Sequence, residues 1–305
     1  MKEITVTPFD NLAAILGTVE PHTRILLSEG VYKQKVEINV PHIELIGAGG
    51  DKTAIVFDDY AKKLDKQGRE YNTFRTYTIA VTAPHVRFRN LMVENSAGDP
   101  KNKGQEVALT VYADDFFAEE CSFVSTQDTI FCGPLPPDLI IRYDGFLKDS
   151  LRSEGSSKQI YKNCFISGTV DFIFGCADAL FENCEIKSLY EVRGHGYAAA
   201  PAHALEQEIG FVFSKCRFTR DARTPDGSVF LARPWRDFGK ASFIDCEYDT
   251  HIASDGFNKW NDTNRDKTAR FAEYGTDRQG RVLWSREMSV MEKDALLNYF
   301  AERRL

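Results

Sequence analysis

Two aspartates in this 305-residue chain stand out by position: Asp128, in Thr126-Gln127-Asp128-Thr129, and Asp171, in Gly168-Thr-Val-Asp-Phe-Ile-Phe-Gly175. Each lies seven residues after a cysteine, Cys121 and Cys164. If those cysteines mark one point of a repeating coil, the two carboxylates stack about 5 Å apart at the backbone. Like charges that close push one pKa upward unless a cation intervenes. A pair split in this way suits acid–base chemistry, one carboxyl donating a proton while the other acts as a charged nucleophile. The same positions also suit simple turns, where Asp is common. A candidate cation stands in Phe230-Leu-Ala-Arg233-Pro-Trp235. An Arg fork can hold a carboxylate by both oxygens, and Trp235 offers a flat platform for a sugar ring. Gln127 beside Asp128, and Gln105 in Gln105-Glu-Val-Ala-Leu109, carry amide N–H groups suited to a developing oxyanion.

The elements that must position these residues are short strands. Segments rich in Val, Ile, Phe and Thr recur between Gly, Asp, Asn and Pro. Five of them share a pattern of aromatic, two or three polar or small residues, Cys, any residue, and a bulky apolar residue. They start at Phe117, Tyr161, Phe181, Phe213 and Phe243, with Cys121, Cys164, Cys184, Cys216 and Cys246 in the common slot. Phe88-Arg-Asn-Leu91-Met-Val93 fits with Leu in that slot. The cysteine intervals of 43, 20, 32 and 30 residues fall in the solenoid range. The expectation is an all-β solenoid whose strands stack in parallel ladders, with Cys as a small buried hydrophobe. Cys132 and Cys176 lie outside the pattern, and a pairing between them stays open.

The ends read as short capping helices: one at Asp10 to Leu16, with Leu12, Ile15 and Leu16 at helical spacing, and one at Glu292 to Leu305, within a C-terminal cap of residues 286–305. The Pro- and Gly-bearing stretch Gly133 to Ser157 reads as an insertion on one face. No linker divides the chain, so residues 1–305 read as one domain.

Hydrophobic residues at 43% and charged residues at 27% exclude a disordered or collagen-like chain. A net charge of -7 without a Lys/Arg cluster argues against nucleic acid as partner, and no run of about 18 apolar residues offers a membrane span. The cysteines and the six histidines show no metal spacing, so no metal or cofactor is expected. The expected state is a monomer. The Met-Lys-Glu-Ile-Thr start lacks the apolar run of a signal peptide, which suggests a cytoplasmic protein, with a secreted or periplasmic one whose leader was removed as the alternative.

Four blocks in order carry a resemblance: Gly104-Gln-Glu-Val-Ala-Leu109, Gln127-Asp-Thr129, Gly168 to Gly175 and Leu231-Ala-Arg-Pro-Trp235. Together they resemble the signature blocks of the pectin methylesterases. Gly30-Val-Tyr32 and the Trp260 to Tyr274 region resemble that family's outer blocks. The resemblance implies a single-stranded right-handed parallel β-helix and metal-free hydrolysis of the methyl ester at galacturonate C6, in pectin or methylated oligogalacturonides. By matching position it implies Asp171 as nucleophile, Asp128 as acid and base, Gln105 and Gln127 at the oxyanion, and Arg233 on Asp171. Val170, Phe174 and Trp235 would line the sugar groove. Four residues depart from the pattern: Gln34 where Glu is usual, Ala232 where Gly is usual before Arg233, Phe257 where Trp is common and Phe238 where Tyr is common. The Gly133 to Ser157 insertion falls between the two aspartates, where many relatives have a direct turn, and is expected to wall the groove and favour short oligosaccharides over polymer. The rival readings are a polygalacturonase, suggested by Gly194-His195-Gly196 and Asp114-Asp115, and a non-catalytic pectin-binding β-helix. The intact set of Gln105, Gln127, Asp128, Asp171 and Arg233 argues against the second.

Overall fold

A computed structural model of the chain describes residues 1–152, 155 and 157–301. Its strands form three sheets of eleven, eight and seven members, and every ladder between neighbouring rungs is parallel. One rung shows the plan: Lys158–Lys162 in the eleven-stranded sheet, Phe165–Gly168 in the eight-stranded sheet, Val170–Gly175 in the seven-stranded sheet, and Asp178–Glu182 back in the first. This is a parallel β-helix. One continuous apolar core runs through it from Val6 to Phe271.

The turn from the eleven- to the eight-stranded sheet shows why the cysteine repeat exists. Asn90, Glu120, Asn163, Asn183, Lys215 and Asp245 all adopt left-handed φ of 50° to 55°, one residue before the Leu91 or Cys slot. A single left-handed residue bends the chain sharply, and the next side chain then points inward. The slot is narrow, and Cys fills it. Cys184 Sγ donates to Tyr161 O at 3.4 Å and Cys216 Sγ to Phe181 O at 3.2 Å, each reaching the preceding rung. All seven cysteines are free and buried, Cys132 and Cys176 included, so the pairing left open by the sequence is not made. Burial holds the thiols of Cys121, Cys164, Cys184 and Cys216 well above their usual range.

The aromatic slot forms a stack. Tyr161, Phe181, Phe213 and Phe243 stack 4.8, 4.8 and 4.9 Å apart with their ring planes nearly parallel. In the Cys121 rung the register differs from the sequence pattern by one residue. Ala118, not Phe117, pairs with Phe88 and Tyr161, and Phe117 packs on the outside of the sheet. The small residue fits because Phe116 and Phe123 already occupy the space beside Tyr161.

The first turn is closed as the sequence suggests. Helix Leu12–Leu16 buries Leu12 and Leu16 in the core, with Asn11 rather than Asp10 as its cap, accepting from Ala14 N at 3.0 Å. Gln34 accepts from Ala13 N and donates to Asp10 O, so this departure from the family pattern braces the same helix.

The C-terminal helix does something else. It runs over Val290–Ala301, opened by a reciprocal capping box of Ser289 and Glu292. It lies across the outer face of the eleven-stranded sheet rather than over the end of the solenoid. Leu296 and Phe300 pack on Ile160, Leu180, Val212, Ile244 and Ala272. These outward positions are apolar on successive rungs, so a cover along the side buries more than a plug at the end. Leu305 lies outside the described residues.

Candidate active site

The site lies on the outer face of the seven-stranded sheet. Ile130 pairs with Ile173, which sets Asp128 opposite Asp171 one rung away, and Asp128 N donates to Val170 O at 3.1 Å. Both aspartates adopt left-handed backbone, with φ of 64° and 50°. A non-glycine residue in that region is uncommon outside a locally imposed turn. At Asp171 the cause is visible: Val170 pairs with Tyr197 but Ile173 with Ala199, so one extra residue bulges out of the strand. A bulge of this kind turns a side chain out of the regular alternation, and here it frees Asp171 from the core side. Both residues are nearly buried, at 7% and 8% exposure.

Arg233 Nε donates to Asp171 Oδ1 at 2.8 Å and Nη2 to Oδ2 at 2.7 Å, a fork on both oxygens. The guanidinium sits between two rings, 3.8 Å from the centre of Tyr197 and 4.0 Å from that of Trp260. Ala232 before it has no left-handed φ, so the residue usual in the family is not needed for the backbone path here.

The electrostatics of the two acids differ. Burial raises the pKa of both. At Asp171 the Arg233 charge and its hydrogen bonds oppose the rise. At Asp128 the negative charge of Asp171 adds to burial and holds the carboxyl well above the usual range, with Arg233 and Gln127 opposing only in part. Asp128 is therefore the member held more strongly in the protonated form, and Asp171 the one whose carboxylate a cation supports.

Gln105, Gln127, Asp128, Asp171, Phe174, Arg233 and Trp235 line one cavity of about 620 Å3. This size suits a small ligand. Phe174 and Trp235 meet edge to face at 5.7 Å. Seven of the eight residues singled out in the sequence thus converge. Val170 does not: it sits in the row Val170–Tyr197–Phe230, four residues upstream of Phe174, and is not part of the cavity wall.

Sequence reasoning missed three residues here. Arg193 Nη1 donates to Gln127 Oε1 at 2.9 Å, which turns the amide N–H face of Gln127 away from itself. Arg193 is in turn held by both oxygens of buried Glu191, at 2.7 and 2.8 Å. Its charge also reaches the pair, lowering both acids slightly. Tyr197 and Trp260 are the other two. The Glu191-Val-Arg193 spacing on a loop carries no periodic signal, whereas Tyr197 was reachable as the ladder partner of Val170 and Phe230.

The residues behind the polygalacturonase reading do not form a site. Asp115 is a left-handed turn residue gripped by Arg87 and His85. His195 faces Ser228 O at 3.3 Å. Among the described residues no group of three or more His, Cys, Asp or Glu is arranged to hold a metal ion.

Comparison with known proteins places this geometry in context. The sequence profile of the pectinesterase family matches residues 7–134 and 141–305. Pectinesterase/pectinesterase inhibitor 43 of Arabidopsis thaliana is 32% identical over 273 residues, covering 85% of this chain but 35% of that protein. Pectinesterase 31 of the same plant is 30% identical over 278 residues, covering 87% of this chain and 78% of that protein. The chain thus spans between about a third and four fifths of these relatives. In fold it is similar to the pectin methylesterase from Yersinia enterocolitica, with a TM-score of 0.80 at 24% identity over 97% of this chain and all of that one. It is also similar to the carrot enzyme, with 0.78 at 22% over 98% and 95%. The profile spans nearly the whole chain, leaving out residues 1–6 and, in the insertion between the two aspartates, residues 135–140, and on this evidence the chain belongs to the pectinesterase family.

Proposed function

We propose that the chain hydrolyses methyl esters at galacturonate C6, in pectin or methylated oligogalacturonides, releasing methanol and a free carboxylate. The observation that carries this reading is the Arg233 fork on Asp171 beside a nearly buried Asp128 one rung away. The ionised Asp171 oxygen attacks the ester carbonyl, and the amides of Gln105 and Gln127 receive the oxyanion. Asp128 gives its proton to the departing methoxide, leaving methanol and an Asp171-bound acyl intermediate. The Asp128 carboxylate then takes a proton from water as the water attacks that acyl carbon. Breaking the Asp171 acyl bond restores both acids. Arg233 keeps Asp171 ionised and aimed, while Trp235 and Phe174 seat the sugar ring.

The test is methanol release from highly methylated pectin, with new reducing ends followed in the same tube and Asp171→Ala beside the native chain. Methanol without reducing ends, lost in the variant, is the expected outcome. New reducing ends would replace the reading with chain cleavage, and an active Asp171→Ala would end the mechanism.

A further inference from the structure

Resting on the esterase reading above, we infer that the site accepts a methylated galacturonate at or next to a chain end, so that its substrates are short methylated oligogalacturonides rather than the interior of long pectin. The reason is a strap, residues 133–152, that closes one side of the groove. The strap is a packed element: Leu135, Leu139, Leu147 and Leu151 are 2% to 5% exposed. They form a second apolar cluster with Phe74 and the outward faces of Phe131 and Phe174, directly on the sheet that carries Asp128 and Asp171.

Both ends of the strap are tied across the sheet. On one side Asp138, in the strap helix Pro137–Arg142, accepts from Arg236 Nε at 3.1 Å and Nη2 at 2.6 Å, next to Trp235. On the other, Tyr143 Oη donates to Asn72 Oδ1 at 2.9 Å, Arg75 lies 3.9 Å over the Phe146 ring, and Lys148 pairs with Glu37 at 2.5 Å. The groove is thereby cut into two cavities. The one holding the two aspartates, about 620 Å3, ends at Phe74, Leu139 and Tyr143. A second, about 720 Å3, begins beyond them at Tyr71, Arg75 and Phe146. A polymer following the sheet past Asp128 would have to displace the apolar packing between these cavities. A chain end seated in the cavity of the two aspartates leaves that packing in place.

The experiment compares the native chain on methylated tri- to hexagalacturonides and on long pectin of equal methylation, with the first ester removed located by mass spectrometry on reducing-end-labelled oligomers. The expected result is kcat/KM per ester at least about tenfold higher on the oligomers, with the first loss confined to a terminal residue or its neighbour. Equal rates on polymer, or first loss at interior residues, would overturn the inference while leaving the esterase reading intact. No methanol from either substrate would instead overturn the esterase reading on which it rests. A variant with residues 135–152 replaced by a short Gly/Ser link, folded by circular dichroism, should gain on polymer relative to oligomer. A folded variant with an unchanged ratio would also overturn the inference, and if it fails to fold, the mapping on the native chain decides.

Discussion

Arg233 grips Asp171 through both carboxylate oxygens while its own guanidinium is held between the rings of Tyr197 and Trp260. The grip fixes the direction of the Asp171 carboxylate, the proposed nucleophile, and opposes in part the rise in pKa that burial causes. Arg233→Lys keeps the charge and loses the fork. Its kcat on methylated substrate should fall by about 100-fold or more. The acid limb of its pH–rate profile should also move to higher pH, because Asp171 must be ionised to attack. An unmoved limb with unchanged kcat would show that the fork has no part in the reaction.

Asp128 predicts a trade between activity and stability. Its folded pKa lies above its unfolded value of about 4, so the folded state is penalised as pH rises from there toward the folded pKa. Asp128→Asn removes that penalty. It should abolish methanol release yet raise Tm at neutral pH, and the gain should vanish below about pH 4. A lower Tm at neutral pH would contradict the assignment of the proton.

In the proposed mechanism Arg193 acts through Gln127, as a positioning residue. Arg193→Ala should lower kcat by about tenfold to 100-fold with a smaller change in KM, since the oxyanion contact matters most in the transition state. Glu191→Gln should follow in the same direction by loosening Arg193. A change confined to KM would reassign Arg193 to ground-state binding.

At the other end of the solenoid, His22, His42 and His85 stack at 4.2 and 4.4 Å on three successive turns, all with left-handed φ. His42 lies between two imidazoles, with Arg87 near and only Asp115 to compensate, and its pKa is lowered, first by desolvation and then by these cations. A lowered histidine pKa gives stability that is present above the unfolded value of about 6.5 and is lost as pH falls through it. Thermal unfolding scanned across that window should show the loss. His42→Asn, which tolerates the left-handed turn, should lessen the slope without abolishing it, because His203 and His251, each lowered to about 4 by burial, contribute over the same window. An identical pH slope in the variant would remove the ladder from the account.

Much of this architecture was legible because repeats write themselves into sequence. The cysteine phase located the two aspartates on neighbouring rungs, and the stacked Tyr161, Phe181, Phe213 and Phe243 follow the same phase. What stayed hidden has physical reasons. The Ala118 slot is decided by volume shared with Phe116 and Phe123, which no linear pattern encodes. Arg193 and Trp260 reach the site from loops, where spacing carries no period. The bulge that turns Asp171 outward appears only when its strand is laid beside Gly196–Pro201. The C-terminal helix was visible as a helix, but its place depended on the outward rows of five distant strands.

That helix has a consequence for how the chain is made. Its Tyr299 hydroxyl reaches Asp178, its Tyr299 carbonyl receives Lys158, and Phe300 packs with Ile160 and Leu180. Those residues belong to the strands of the eleven-stranded sheet that come before and after Asp171 along the chain, Lys158–Lys162 and Asp178–Glu182. A coil that in principle grows turn by turn from its N-terminus is therefore fastened, at its working rung, by residues that leave the ribosome more than a hundred positions later. The rung bearing Asp171 receives its outer brace only after the helix Val290–Ala301 has been made, which links the timing of the site's assembly to that helix rather than to the rung itself.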